Sequence, residues 1–355
     1  GLDRFPPPAD FPASLYAQAL RQPVLLGLFL PIQAGGWSAS TLPRTTDWRW
    51  PYNRDLVLKA ESLGFDLVFA LSQWLPKGGY GGVFDGHALD SFQTMAALTA
   101  VTQRILLVST LHVLYGPLHP LHLAKWGATL DHISGGRWGI NVVTGHRAVE
   151  HEAFGWDRIE HDRRYALTAE FIEVLQRLWT GDEPFSFEGE SGWRLNNAFV
   201  TPKPVYGRPL LVNATGSDAG ISFAARYSDV VFITSPGASD FASAIELLPA
   251  HAARVKQAAR EQGGRSARCS IPWSSAARPS RRPVRTTTPS SRIRMSVPPT
   301  VSTRSTAMPM PGAAVRVWTG PTGGPSAATS RWSARPNRWS SSSSRSSARA
   351  STGCN

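Results

Sequence analysis

From residue 24 to residue 262, continuous apolar runs of strand length alternate with amphipathic stretches of helix length. The run 24–30 (VLLGLFL) offers no polar position to water, the pattern of a strand buried on both faces. Residues 53–63 (NRDLVLKAESL) have helical spacing, and Gly64 follows as a stop. Further strands are predicted at 65–71, 104–111, 137–144, 209–214 and 229–234, and further helices at 91–101, 120–132, 163–179, 219–227 and 241–262. Residues 185–205 read as a hairpin excursion, with turn residues at Gly189 and Gly192. Residues 1–22 read as an irregular arm. Six strand–helix units in this order predict an α/β fold with a parallel sheet and crossover helices. Their spacing suits a TIM-type (β/α)8 barrel of roughly 250 residues, incomplete here, with its domain bounded at 23–264. An open doubly wound sheet is the alternative on pattern alone.

At residue 265 the pattern stops. From there to residue 355 the chain contains no Leu, Phe, Tyr, Lys, His, Gln, Asp or Glu, and Ser, Arg, Pro, Thr and Ala dominate. Such a segment cannot build a core of ordinary composition, so it is expected not to fold. The change falls where two more strand–helix units should follow. Out-of-frame codons of a GC-rich gene yield mainly these residues, so the segment reads as a frameshift; a natural low-complexity tail is the alternative. In either case strands seven and eight are expected to be missing and the chain to be inactive or poorly soluble.

Charge follows the same division. The formal net charge of +12 suggests a nucleic-acid partner, but 15 of the 37 basic residues lie after residue 264 and all 25 acidic ones before it. The first 264 residues carry −3, ordinary for a soluble enzyme, and nucleic-acid binding is confined to the Arg-rich tail as a lesser alternative. Cys269 and Cys354 also lie in the tail, which excludes disulfides and thiolate metal sites from the front part and fits a cytoplasmic protein. No apolar run is long enough to span a bilayer. The spacings His119/His122 and His146/His151 lack the carboxylate or thiolate partners of a zinc site. No GxGxxG follows a strand, so a Rossmann nicotinamide site is not indicated.

Four stretches carry candidate chemistry. Residues 121–145 (LHLAKWGATLDHISGGRWGINVVTG) read as a helix, a Gly-Gly turn and a buried strand that delivers Asn141 to a barrel mouth. Residues 160–165 (EHDRRY) enter a long helix, and the Arg there can fork onto a phosphate. Residues 214–220 (ATGSDAG) join a strand to a helix, where Ser217 can cap and the exposed N–H groups make an anion site. Residues 70–75 (ALSQWL) end the second strand. The last three have plainer readings, as solvated helix start, helix cap and strand-end loop.

These stretches together resemble the bacterial luciferase-like flavin monooxygenases over about residues 24–262, nearest the branch of dimethylsulfone, alkanesulfonate and pyrimidine monooxygenases. The resemblance implies reduced FMN (FMNH2) as cofactor. It places Arg164, Tyr165 and Ser217 at the flavin phosphate, the backbone of Trp74 and Leu75 along the isoalloxazine, and Asn141 and Glu150 in flavin contact. It departs at Trp74-Leu75, where some relatives carry a basic residue, which leaves substrate preference open. It further implies a two-component monooxygenase. A separate NAD(P)H-dependent FMN reductase would supply reduced flavin, and O2 would oxygenate a small organosulfur substrate, a sulfone or alkanesulfonate, through a flavin peroxide. No catalytic base is assigned, and a homo-oligomer stays open. Hydride transfer with flavin or deazaflavin is the alternative chemistry.

Overall fold

The computed structural model describes residues 5–36, 46–74, 87–116, 118–145, 147–233, 241–262 and 268–270, all within the larger of the chain's two compact units, Gly1–Val317. The strands are β1 (Gly27–Leu30), β2 (Leu67–Ala70), β3 (Leu106–His112), β4 (Trp138–Val143), β5 (Phe185–Glu188), β6 (Arg194–Ala198), β7 (Leu210–Ala214), β8 (Val230–Phe232) and β9 (Arg268–Ser270). β5 and β6 form the expected antiparallel hairpin. The other seven make one parallel sheet in the order β1-β2-β3-β4-β7-β8-β9. The helices are α1 (Leu15–Arg21), α2 (Trp50–Ser62), α3 (Ser91–Thr99), α4 (Pro120–Ile133), α5 (Ala148–Ala153), α6 (His161–Thr180), α7 (Asp218–Tyr227) and α8 (Phe241–Glu261). This is the parallel half-barrel of an incomplete TIM-type fold.

Alternate residues of β2 and β3 serve two cores, which is why these runs are largely apolar. Leu67 and Phe69 of β2, Leu106 and Val108 of β3 and Leu210 and Val212 of β7 pack together on one face. Val68 and Ala70 of β2 and Leu107 of β3 turn the other way, onto Val57 of α2 and Met95 and Leu98 of α3.

The structure corrects three expectations. The N-terminal arm is not irregular, because α1 forms with the Ser14 hydroxyl accepting the Ala17 N–H at 3.2 Å. A seven-residue helix is marginal alone. Tyr16, Ala17 and Ala19 are buried against the sheet's inner cluster, and that tertiary burial is absent from the local pattern. The first strand starts at Gly27 rather than 24, with Val24 and Leu26 largely exposed. The Asp66 carboxylate takes the Leu26 N–H at 2.8 Å, while the Leu26 carbonyl accepts the Asp66 N–H, so a side chain supplements the main-chain pairing here. Finally, six strands were expected and a seventh exists: β9 pairs with β8 beyond residue 264. A three-residue edge strand needs only main-chain N–H and C=O, which any sequence offers. Residues 271–355 lie outside the described residues, and with them most of the segment expected not to fold.

Polar side chains stitch the amino-terminal ends of the strands. Glu61 accepts the N–H groups of Gln103, Arg104 and Ile105. Buried Arg137 donates to carbonyls of Thr99, Thr102, Ile105 and Ser134. Asp131 on α4 is less well served. One carboxylate oxygen accepts the Val205 N–H at 2.7 Å, and the other is buried without a partner. Burial pushes its pKa up from 3.8 to about 6. The folded state therefore holds this proton more tightly than the unfolded chain does, and its contribution to stability is lost as pH rises from about 4 through about 6. Asp131→Asn keeps an acceptor for Val205 but cannot ionise. Its stability relative to wild type should rise over that window, by about 1–3 kcal/mol in total. Denaturant midpoints measured across pH check this, and parallel profiles for the two proteins would refute it.

Candidate active site

The residues singled out in the sequence gather where parallel strands end, the edge on which α/β folds build sites. Trp74 follows β2, Asn141 lies on β4, Glu150 on α5, Arg164 and Tyr165 in the first turns of α6, and Ser217 at the cap of α7 after β7. Leu75 lies outside the described residues.

One group surrounds Trp74. The buried Glu150 carboxylate accepts the Trp74 N–H at 3.0 Å and lies 3.7 Å from Arg147. Its second oxygen has no partner. The half-exposed Trp74 indole meets Phe154 edge-on at 5.2 Å. Asn141 donates to the Thr110 hydroxyl at 3.1 Å, while its own amide oxygen is buried and unpaired. The Thr110 N–H in turn donates to Ser91, whose hydroxyl donates to the Ala70 carbonyl, so β2, α3, β3 and β4 are fixed to one another beneath the site. A pocket of about 290 Å³ lies beside Trp74, lined among the described residues by Ser72, Gln73, Ala88, Leu89 and Asp90. It is at the small end of the roughly 300–1,000 Å³ range of ligand pockets.

The second group is an anion site in composition. Glu160 caps α6 by accepting the Asp162 and Arg163 N–H groups. Arg164, one turn further on, is buried, and its Nε and Nη1 donors have no partner. Burial, and then the charge of Arg158, hold its pKa below the ordinary arginine value. The Tyr165 hydroxyl stands 3.4 Å from that of Ser217, which accepts the Gly220 N–H at 3.1 Å. A Cβ at Gly220 would collide with the Thr215 and Tyr165 hydroxyls, so only glycine leaves this cradle open. Two unpaired buried donors on one guanidinium, beside two hydroxyls and a helix N-terminus, fit a phosphate.

Sequence reasoning missed three residues here. Thr110 pairs with Asn141 only through strand register. Tyr115 accepts the Arg147 N–H at 3.2 Å, and its ring fills the space a Cβ at Gly145 would need, where φ is +79°. Burial first, then Glu150, raise its pKa far above the usual tyrosine value, so it stays protonated. His151 is fully buried beside Glu150. The adjacency to a carried-over residue was the only available signal. Among the described residues no three His, Cys, Asp or Glu side chains group as metal ligands, and no helix is long and apolar enough to cross a membrane.

A parallel half-barrel with a buried, unpaired arginine and two hydroxyls at its carboxyl rim fits this class of fold, and the chain belongs to the luciferase-like monooxygenase family, whose model matches residues 25–281. The match runs past Gly264, as β9 does. The chain is 39% identical over 243 residues to the pyrimidine monooxygenase RutA of Escherichia coli (strain K12), covering 67% of this chain and 60% of that protein. It thus spans about 60% of the length of that curated relative. The structure of riboflavin lyase RcaE with modified FMN and the substrate riboflavin is similar at 26% identity and a TM-score of 0.60, over 68% of this chain and 60% of that one. DmoA from Hyphomicrobium sulfonivorans shares the fold at 21% identity and a TM-score of 0.61, over 70% and 59%.

Proposed function

We propose that this chain is a reduced-FMN-dependent monooxygenase acting on a small substrate, and the observation that carries the reading is the buried, doubly unpaired Arg164 beside Tyr165 and Ser217. These three would hold the flavin phosphate. Trp74 and Leu75 would line the ring, with Glu150 fixing the Trp74 backbone and the unpaired Asn141 oxygen available to the ring's N–H. Reduced FMN, when bound, supplies the electrons for oxygen activation. The protein's part is to orient substrate and exclude water, for which the Trp74, Tyr115 and Phe154 rings are placed. O2 and an NAD(P)H-dependent FMN reductase are the implied partners, in the cytoplasm.

For the substrate, the relatives at 39% identity favour a pyrimidine-like cyclic amide. The sulfone or alkanesulfonate expected from the sequence is the comparison; the likeness to DmoA carries fold alone. The test supplies reduced FMN, isotope-labelled O2 and either uracil or dimethylsulfone, and looks for label in the product. Labelled product from uracil is expected. Hydrogen peroxide alone with both substrates would defeat the oxygenase reading, and turnover only with reduced deazaflavin would favour hydride transfer. The frameshift remains our reading of residues 265–355, checked by resequencing codons 255–275. Turnover by the chain as written should then be lower than by a frame-restored chain.

A further inference from the structure

The pocket of about 290 Å³ beside Trp74 is lined by Gln73, a residue that no part of the flavin reading uses. Its side-chain oxygen Oε1 is buried and has no hydrogen-bond partner. That oxygen only accepts, and a buried acceptor left unpaired is destabilising until an N–H reaches it. The amide nitrogen on the same carbon offers two donors alongside. A glutamine amide is therefore matched by a partner that carries a donor and an acceptor side by side, as when it pairs with the edge of a base. Turning the side-chain amide over exchanges oxygen for nitrogen but leaves this requirement as it is.

The charge of the pocket selects in the same sense. Among the described residues that line it, Asp90 is the charged one, and none is a cation. The Asp90 carboxylate caps α3 by accepting the Gln93 N–H at 2.8 Å. An alkanesulfonate would set a second negative charge against it. A sulfone brings acceptor oxygens alone and leaves the Gln73 Oε1 unpaired. A cyclic amide or imide is neutral and carries an N–H next to a C=O. Its planar ring also suits the half-exposed Trp74, on which a flat ring can stack. We infer that Gln73 selects the substrate, pairing its side-chain amide with an N–H and the neighbouring carbonyl of a planar cyclic amide held in this pocket. The inference rests on the flavin monooxygenase reading above, in which Trp74 lines the flavin ring, and deepens it by giving the substrate a place and a partner.

The experiment is calorimetric titration of the full chain, saturated with oxidised FMN, with three ligands: uracil, uracil methylated on both ring nitrogens, and dimethylsulfone. The two uracils share the ring and its carbonyls and differ in the N–H donors. Wild type should bind uracil about 10–100-fold more tightly than the methylated ring, the effect of one well-formed pair of hydrogen bonds. Gln73→Met keeps the length of the side chain and loses the amide. Its preference between the two uracils should shrink to nearly nothing while its FMN affinity stays that of wild type, which separates the lost pairing from the bulk of the added methyl groups. If the variant does not fold, the side-chain amide NMR signals of isotope-labelled wild type decide instead: those of Gln73 should move on addition of uracil and stay in place with dimethylsulfone. A preference for uracil that survives in Gln73→Met, or Gln73 signals that ignore bound uracil, overturns this inference and leaves the flavin site standing. Wild type that binds FMN but takes dimethylsulfone in preference to uracil overturns the pyrimidine-like substrate as well. Failure of wild type to bind FMN at all overturns the reading on which both rest.

Discussion

Replacing Arg208 with Ala should destabilise the protein by about 3–5 kcal/mol, the usual cost of removing one partner of a buried ion pair. Arg208 is almost fully buried and makes a fork–fork pair with Asp229, both contacts at 2.5 Å. The same guanidinium donates to the Pro6 carbonyl at 2.7 Å and the Pro209 carbonyl at 3.1 Å. One side chain therefore joins the N-terminal arm to the entries of β7 and β8. Asp229 also accepts the Leu211 N–H, so the variant leaves a buried carboxylate with one main-chain donor in place of a cation. At roughly 2–4 °C per kcal/mol, the Tm should fall by roughly 6–20 °C. Replacing both partners with Leu should cost less than the single change, since no charge is stranded. A single-variant loss under about 1 kcal/mol would show that solvent reaches this pair freely.

What the sequence disclosed and what it hid divide along range. The parallel strands were legible because burial on both faces leaves largely apolar runs, and six of them form at the predicted runs, the first in a shorter form. The long helix α6 and its Arg164-Tyr165 start were legible for the same reason, periodicity plus an odd pair of residues at the boundary. Short elements were not. α5 has six residues, less than two helical turns, yet it carries Glu150 and His151. α1 depends on burial against strands that follow it by tens of residues. The Thr110–Asn141 hydrogen bond exists because β3 and β4 pair with those two residues side by side, a register no local pattern states. β9 escaped because composition argues about cores, and an edge strand of three residues asks little of one.

Arg164→Ala should have opposite effects on binding and on stability. With the phosphate of FMN as its partner, Arg164 makes charge-assisted hydrogen bonds, and their loss should weaken FMN binding by about 1.5–3 kcal/mol, roughly 10–150-fold in Kd. Riboflavin, without the phosphate, should bind both proteins alike. In the free protein the same side chain is a buried cation whose Nε and Nη1 find no acceptor and on which the strongest charge effect, that of Arg158, is of like sign. Removing it lifts a desolvation penalty, so the unliganded variant should be more stable than wild type, by about 1–3 kcal/mol. A residue kept for packing would lower stability and leave flavin affinity alone; a binding residue held ready at a cost to the fold does the reverse. Flavin titration by fluorescence and denaturant unfolding of the unliganded protein, on the same two preparations, separate these cases. Unchanged FMN affinity would remove Arg164 from the phosphate site, and a less stable variant would mean that its donors are already satisfied in the free protein.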